Sequence, residues 1–250
     1  MPLFSIITVC YNAAATIERT IVSVDEQTFG DYEHFIVDGK SSDSTLSIIE
    51  SHPDSRRNWV SERDGGIYDA MNKGMSKTSG DYLIFLNAGD KFHSADTLAV
   101  IAKAIEEHSR PGIVYGQTDI VDNEGRYLRP RHLSAPEKLT LRSFADGMLV
   151  CHQSFVALRR IASPYSLKYR FSADYDWCIG CLQHSRHNVG LIDTVFTDYL
   201  DEGATTRNRR ASLIERFRIM CFYYGTLPTI IRHFGFAFRA MARHLTNKNK

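Results

Sequence analysis

Three short stretches bring together side chains able to do chemistry. In Phe35-Ile36-Val37-Asp38-Gly39-Lys40-Ser41-Ser42-Asp43, an apolar run delivers a carboxylate, a glycine and two hydroxyls into a turn. A carboxylate so placed can accept the imide N–H of a pyrimidine, while the amides and hydroxyls of the turn, Ser41 among them, meet a ribose. Asp43 or Ser42 can equally cap the helix that follows. In Asp81-Tyr82-Leu83-Ile84-Phe85-Leu86-Asn87-Ala88-Gly89-Asp90, five apolar residues make a buried strand, so Asn87 and Asp90 emerge at its end on a rigid support. Oxygen ligands three positions apart across a small-residue turn suit a hard divalent ion, Mn2+ or Mg2+, that also binds a diphosphate. Such an ion neutralises charge accumulating on a leaving nucleoside diphosphate. The third stretch, Phe171-Ser172-Ala173-Asp174-Tyr175-Asp176-Trp177, puts two carboxylates at a helix start, a place acids also favour for the helix dipole alone.

These residues need elements to hold them. Apolar runs predict strands over 5–9, 32–37, 59–61, 82–86 and 112–115, and 3.6-residue periodicity predicts helices over 13–27, 44–51, 67–77 and 94–108. Strands alternating with helices imply right-handed crossovers and a largely parallel sheet covered on both faces. Ligands of such sheets bind beyond the carboxyl ends of the strands. Tyr11-Asn12, Asp38, Glu62 with Asp64, and Asn87 with Asp90 all fall at those ends. Beyond residue 120 the pattern is irregular, with a basic loop over 126–132, a strand pair over 147–156 and a helix over 174–181.

The motifs add a resemblance. Ser5-Ile6-Ile7-Thr8-Val9-Cys10-Tyr11-Asn12 comes first, then Val37-Asp38-Gly39 through Ser42-Asp43-Ser44-Thr45. Ser61-Glu62-Arg63-Asp64-Gly65-Gly66-Ile67-Tyr68-Asp69-Ala70-Met71-Asn72-Lys73-Gly74 follows, and Gly80-Asp81-Tyr82 through Leu86-Asn87-Ala88-Gly89-Asp90 closes the set. In this order and spacing they resemble family 2 glycosyltransferases of GT-A fold, most of all the branch that builds bacterial capsule, exopolysaccharide and lipopolysaccharide chains. The match is dense over residues 4–92 and thin to about 205.

The resemblance implies a mostly parallel α/β sheet flanked by helices, an irregular acceptor-side half and a C-terminal helical tail. The division expected is a catalytic domain over 1–205, with a nucleotide-sugar half over about 1–118 and an acceptor half over 119–205, then a tail over 206–250. The reaction implied is inverting transfer from a nucleotide-sugar, expected to be a UDP-sugar, to a hydroxyl of a growing lipid-linked surface glycan. The nucleotide pocket implied comprises Thr8, Tyr11, Asp38 and Asp64. Asp90 stands where the last acid of the family's Asp-x-Asp metal motif stands, although Asn87 and Ala88 occupy the positions before it where the usual preceding acid would fall. The general base, which takes the acceptor proton during attack, corresponds to Asp174 or Asp176; Ala173 replaces the usual preceding Glu. His152 and Gln153 echo an acceptor or diphosphate site, with a packed histidine as the other reading for His152. Lys73 is within range of phosphate or is an ordinary helical lysine. Trp177 and Tyr175 are expected to offer a sugar-stacking face.

Composition narrows the partners. From Thr206 onward there are ten Lys/Arg against one acid, Glu215, for a net charge of +9; the first 205 residues carry twenty against twenty-eight, for −8. In the tail Ile231, Phe234, Phe238 and Met241 form an apolar stripe flanked by Arg232, Arg239 and Arg243, with Pro228 expected to separate two helices. A basic amphipathic surface over 213–243 suits an anionic membrane face, or else packs on the body or a second copy. Five scattered cysteines give no disulfide framework, and Cys178-x-x-Cys181 has no second pair to complete a zinc site, so a reducing, cytoplasmic setting is expected, with peripheral attachment to the inner membrane face. The first strand lacks a basic leader, and no 18-residue apolar run occurs. No nucleic-acid partner is expected. The first turn, Cys10-Tyr11-Asn12-Ala13, lacks the glycines of a dinucleotide or nucleotidyltransfer loop. The competing reading is a catalytically impaired nucleotide-sugar or carbohydrate-binding module, since Asn87-Ala88-Gly89-Asp90 lacks the acid that usually precedes Asp90.

Overall fold

The computed structural model describes residues 1–201 and 209–247, with side chains over 1–201 and 210–236. The expected boundary at 205/206 and the side chains of Phe238, Arg239, Met241 and Arg243 lie outside the described residues.

The β-branched run at the N-terminus becomes β1 (Phe4–Cys10), followed by α1 (Ile17–Asp25), β2 (Tyr32–Asp38), α2 (Thr45–Ser51), β3 (Arg57–Ser61), α3 (Ile67–Lys77) and β4 (Tyr82–Phe85). β3, β2, β1 and β4 lie side by side in that order and are all parallel, so their carboxyl ends share one rim. β1 is buried along its whole length, because helices cover both faces of the sheet. Ile7, Val9, Val37, Leu83 and Phe85 pack toward α3, while Phe4, Ile6, Tyr82 and Ile84 pack with Val24 of α1 and with α4 (Thr97–Glu107). Gly74 lets α3 settle onto β1, since a Cβ there would lie 2.4 Å from Ile7 Cγ2.

The second half extends the same sheet. β6 (Ile113–Val121), β8 (Phe155–Leu158) and β9 (Asn188–Leu200) join it in the order β4-β8-β6-β9, and β5 (Lys91–Phe92) closes the edge against β9. β4–β8 and β8–β6 are antiparallel and β6–β9 parallel, so the sheet is mixed although its nucleotide-side half is parallel. The 126–132 segment expected as a loop contains β7 (Tyr127–Pro130), a hairpin partner of β6. The strand pair expected over 147–156 is instead a 3-10 turn at His152–Ser154 leading into β8. α5 (Ala173–His184) carries the acidic pair.

The tail forms α6 (Arg209–Tyr224) and α7 (Thr226–Asn247). The break between them is Gly225, at φ +87, not Pro228. Pro228 sits in the first turn of α7, where its missing N–H costs no helical hydrogen bond.

Candidate active site

The β1 and β2 turns are laced together. Asn12, at φ +48, accepts at Oδ1 from Ser42 N–H (2.9 Å), and its own N–H donates to Ser41 Oγ (2.8 Å). Ala13 N–H donates to Thr45 Oγ1 and Ala14 N–H to Asp43 Oδ2. Asp43 also accepts from the Thr45 hydroxyl and amide, and these bonds hold its carboxyl below the usual range.

Asp38 is fully buried and spends both oxygens on its own loop and the neighbouring strands, accepting from Ser41 N–H (3.0 Å), Ser41 Oγ–H, Ser61 Oγ–H (2.6 Å) and Cys10 Sγ–H (3.7 Å). It therefore braces the cradle instead of facing it. Thr8 likewise turns inward, its hydroxyl 2.9 Å from His34 Nε2. Arg57 Nε donates to His34 Nδ1 (3.2 Å), so that nitrogen is an acceptor and Nε2 carries the proton toward Thr8. In both cases the side chain is bonded to a partner on a neighbouring strand, Thr8 to His34 on β2 and Asp38 to Ser61 on β3.

What stays open beside the cradle is Asp64. Its Oδ1 accepts from Gly66 N–H (2.9 Å), and its Oδ2 lies 2.6 Å from where a Cβ on Gly39 would stand, with Tyr11 Cδ2 3.4 Å from the same point. Tyr11 is 65% exposed. Gly39, Tyr11 and Asp64 thus meet at one narrow slot, where the Asp64 carboxylate and the exposed Tyr11 ring pack directly over the bare Cα of Gly39. Lys73 is committed nearby: its Nζ pairs with Glu62 (2.9 Å), lies 3.6 Å from Asp69 and donates to Arg63 O (2.8 Å), so it pins the loop before α3 and has little left for a phosphate.

Across β1 from that slot, Asn87-Ala88-Gly89-Asp90 closes on itself and on α1. Asp90 N–H donates to Asn87 O, Gly89 N–H to Thr20 Oγ1, and Thr20 Oγ1–H to Asp90 O. The Asp90 carboxylate is 4% exposed and accepts from Gln153 Nε2 (3.0 Å) and Leu200 N–H (3.0 Å). Burial pushes it up to about 7 despite those bonds and the Arg19 charge. Asn87 Oδ1 is buried with no hydrogen-bond partner. The orphaned Asn87 Oδ1 is the side-chain oxygen of this turn left for a hard divalent cation, while both Asp90 oxygens already accept from the protein. His93, Asp119 and Asp198 form a second group, with ligand atoms within 4.8 Å of one another. Asp198 there already pairs with Lys91 Nζ (2.9 Å) and hydrogen-bonds with His93 Nδ1 (2.7 Å).

The acidic pair on α5 divides. Asp174 Oδ1 accepts from Tyr68 Oη–H of α3 (3.0 Å) and from Tyr175 N–H (2.9 Å). Asp176 is bonded by the Tyr223 side chain of α6, beside Lys168, and burial raises it above the usual carboxyl range. Trp177 and Tyr175 are 4% and 1% exposed, so neither ring face is open to a sugar, against the expectation of a stacking surface. The Trp177 indole N–H donates to Ser163 O, and its ring stacks on Tyr165 at 5.1 Å. Amphipathic aromatics at a helix start gave no sequence signal for which side the core would take. His152 is also a packing residue: buried, 2.6 Å from Tyr165 Oη, stacked on Phe85 and lowered by burial to about 4. Gln153, next to it, reaches Asp90.

Sequence reading missed Tyr68, although the Gly66–Gly74 motif contains it, and it missed the Leu200 amide, which no side-chain motif can flag.

The parallel half-sheet, the cradle at its carboxyl rim and the buried turn after β4 define a GT-A type glycosyltransferase. The profile described as "Glycosyl transferase family 2" matches residues 5–163. The chain is 34% identical over 208 residues to a PGL/p-HBAD biosynthesis glycosyltransferase of Mycobacterium bovis, covering 81% of this chain and 78% of that one. It is 28% identical over 191 residues to the amylovoran biosynthesis glycosyltransferase AmsB of Erwinia amylovora, covering 70% and 62%. Among solved structures, S. aureus TarS 1–349 in complex with UDP-GlcNAc matches with a TM-score of 0.71 at 18% identity, over 88% of this chain and 66% of that one. The mannosyltransferase PcManGT of Pyrobaculum calidifontis, in complex with GDP-Man and Mn2+, gives 0.61 at 20% identity, over 87% and 63%. The chain thus spans less than two thirds of AmsB, of TarS 1–349 and of PcManGT. This chain belongs to glycosyl transferase family 2 and is a glycosyltransferase of GT-A fold.

Proposed function

We propose that the enzyme transfers a sugar, with inversion, from a UDP-sugar to a hydroxyl of a growing lipid-linked bacterial surface glycan. The observation that carries this reading is the gathering of the Gly39–Tyr11–Asp64 slot and the Asp90 turn at the rim of the parallel strands, with Asp174 tied to α3, the helix that follows β3. Asp64 Oδ2 is the acceptor for a pyrimidine imide N–H in this reading, with the base against the exposed Tyr11 ring. Asp38 and Ser41 hold that slot in shape. Asn87 and Asp90 would hold Mn2+ or Mg2+, which when bound supplies charge neutralisation to the leaving diphosphate. Gln153 fixes the orientation of Asp90 through its amide N–H.

Asp174 is the general base in this reading. Its Oδ1 is engaged by Tyr68 and the Tyr175 amide, which leaves Oδ2 to take the proton of the acceptor hydroxyl as that oxygen attacks the anomeric carbon from the face opposite the diphosphate. Asp176, bonded to Tyr223, braces α5 against α6. The residues over about 1–118 serve the donor and those over 119–205 the acceptor.

For the tail we propose peripheral contact with an anionic membrane surface, in keeping with a cytoplasmic enzyme acting on a lipid-linked acceptor. Leu213, Ile214, Phe222, Leu227, Ile231 and Phe234 are exposed on α6 and α7, and the net charge of +9 complements anionic lipid. No helix among the described residues is long and apolar enough to cross a membrane. The missing acid at 87–88 favours one rival, a module that binds donor without turnover.

Turnover of a UDP-sugar with added Mn2+ or Mg2+ and a lipid-linked acceptor tests the reading. Asp90→Ala and Asp174→Ala should each abolish transfer, with donor binding retained in Asp174→Ala. Donor binding without turnover in the unaltered chain sustains the module instead, and normal turnover in either variant removes the role given to that residue.

A further inference from the structure

We propose that Tyr68 is the positioning residue of the reaction: its hydroxyl locks the Asp174 carboxylate in register with the donor-binding turn. The proposal rests on Asp174 being the base and adds a residue that acts through it.

Asp174 lies in the first turn of α5, half-buried, where a carboxylate can rotate about two side-chain bonds. Two donors converge on the same oxygen, Tyr68 Oη–H at 3.0 Å and Tyr175 N–H at 2.9 Å. Fixing Oδ1 fixes the plane of the carboxylate and hence the direction of Oδ2. The Tyr68 hydroxyl can do this because its ring is packed in place. It is 8% exposed and stacks on Tyr165 at 5.6 Å, and Tyr165 stacks on Trp177 at 5.1 Å. Trp177 is one helical turn after Asp174. Asn72, one turn after Tyr68 on α3, clamps the Tyr165 backbone from both sides, accepting from its N–H (2.7 Å) and donating to its carbonyl (3.0 Å). Three rings and one amide thus tie the start of α3 to the start of α5, and the Tyr68–Asp174 bond closes the loop.

The other end of this linkage is the nucleotide slot. Gly66, the residue before α3, donates its N–H to Asp64 Oδ1, and Gly65 N–H donates to Asp69 Oδ2 (2.9 Å each). Asp64 and Tyr68 are therefore four residues apart on one hydrogen-bonded turn, one facing the donor base and the other the base catalyst. A buried tyrosine hydroxyl needs some acceptor, and any main-chain carbonyl would satisfy it. Bonding the carboxylate instead sets the geometry on which transfer depends, where displacement by about 1 Å costs on the order of a hundredfold.

Tyr68→Phe keeps the ring and its stacking and deletes only the hydroxyl. The expected result is a fall in kcat of about ten- to hundredfold, with the KM and dissociation constant for the donor and the melting temperature unchanged. On an Asp174→Asn background the same change should cost nothing further, because the hydroxyl acts only through that carboxylate. Wild-type kcat in Tyr68→Phe beside an inactive Asp174→Asn overturns the positioning role while leaving the base assignment standing. A loss that appears in donor KM, or that adds to the Asp174→Asn loss, also overturns it. Full turnover in Asp174→Asn removes the base assignment itself.

Discussion

A single methyl group at residue 39 should disable donor binding without unfolding the protein. An ideal Cβ on Gly39 falls 2.6 Å from Asp64 Oδ2 and 3.4 Å from Tyr11 Cδ2. The first distance is shorter than any real Cβ contact, but the atom it meets is the end of a half-buried side chain, so Asp64 swings aside at little cost to the fold. What is lost is the carboxylate that faces the pyrimidine. A hydrogen bond to a charged group contributes about 1.5–3 kcal/mol, so Gly39→Ala should weaken UDP binding by about ten- to hundredfold. Isothermal titration with UDP measures this, alongside a thermal melt expected to match the unaltered protein. Gly180→Ala, in a helix with nothing within 4 Å of its Cβ, serves as the control and should bind UDP normally. Affinity within about twofold of wild type for Gly39→Ala would refute the placement of the base against Asp64 and Tyr11.

Four further outcomes can be checked. Mn2+ should raise the melting temperature of the unaltered chain and leave Asp90→Asn unmoved, a readout independent of turnover. Gly74→Ala drives a Cβ to 2.4 Å from Ile7 Cγ2 in the core, and overpacking of that kind costs about 1–3 kcal/mol, visible in denaturant melts. His34 is lowered by burial and by Arg57 to about 3, against 6.5 for an ordinary histidine, so the stability that its neutral form provides is complete above pH 6.5 and is lost as pH falls toward 3. The loss runs at up to about 1.4 kcal/mol per pH unit, and His34→Gln should flatten the stability profile between pH 6.5 and 4.5 by that slope; His152 and Asp90 titrate in both proteins and cancel in the comparison. Vesicles containing anionic lipid should sediment the chain, and Phe222→Ser with Phe234→Ser should release it without changing donor binding; equal sedimentation of variant and parent would remove the tail contact.

Much of the donor half was legible because it depends on local periodicity. The helix expected over 67–77 is α3 at its observed limits, and the apolar runs over 5–9 and 82–86 are the fully buried strands β1 and β4. The second half was not legible in the same way. β7 is a fully exposed edge strand, β5 is two residues long, and β9 is a long strand whose pairing with β6 is interrupted by register shifts. Such strands exist because a partner offers hydrogen bonds, and no side-chain period announces a partner.

The same division runs through the site. Sequence alone determined which residues reach the rim, because a parallel strand of known polarity must release its next side chains at its carboxyl end. Only tertiary structure decided which of them face a ligand. Asp38 and Thr8 are spent on Ser61 and His34, which lie 23 and 26 residues away, while Asp90 is held by Gln153 and Leu200, 63 and 110 residues away. Whether a carboxylate keeps a free lone pair depends on which distant donor reaches it first, and folding alone brings that donor there.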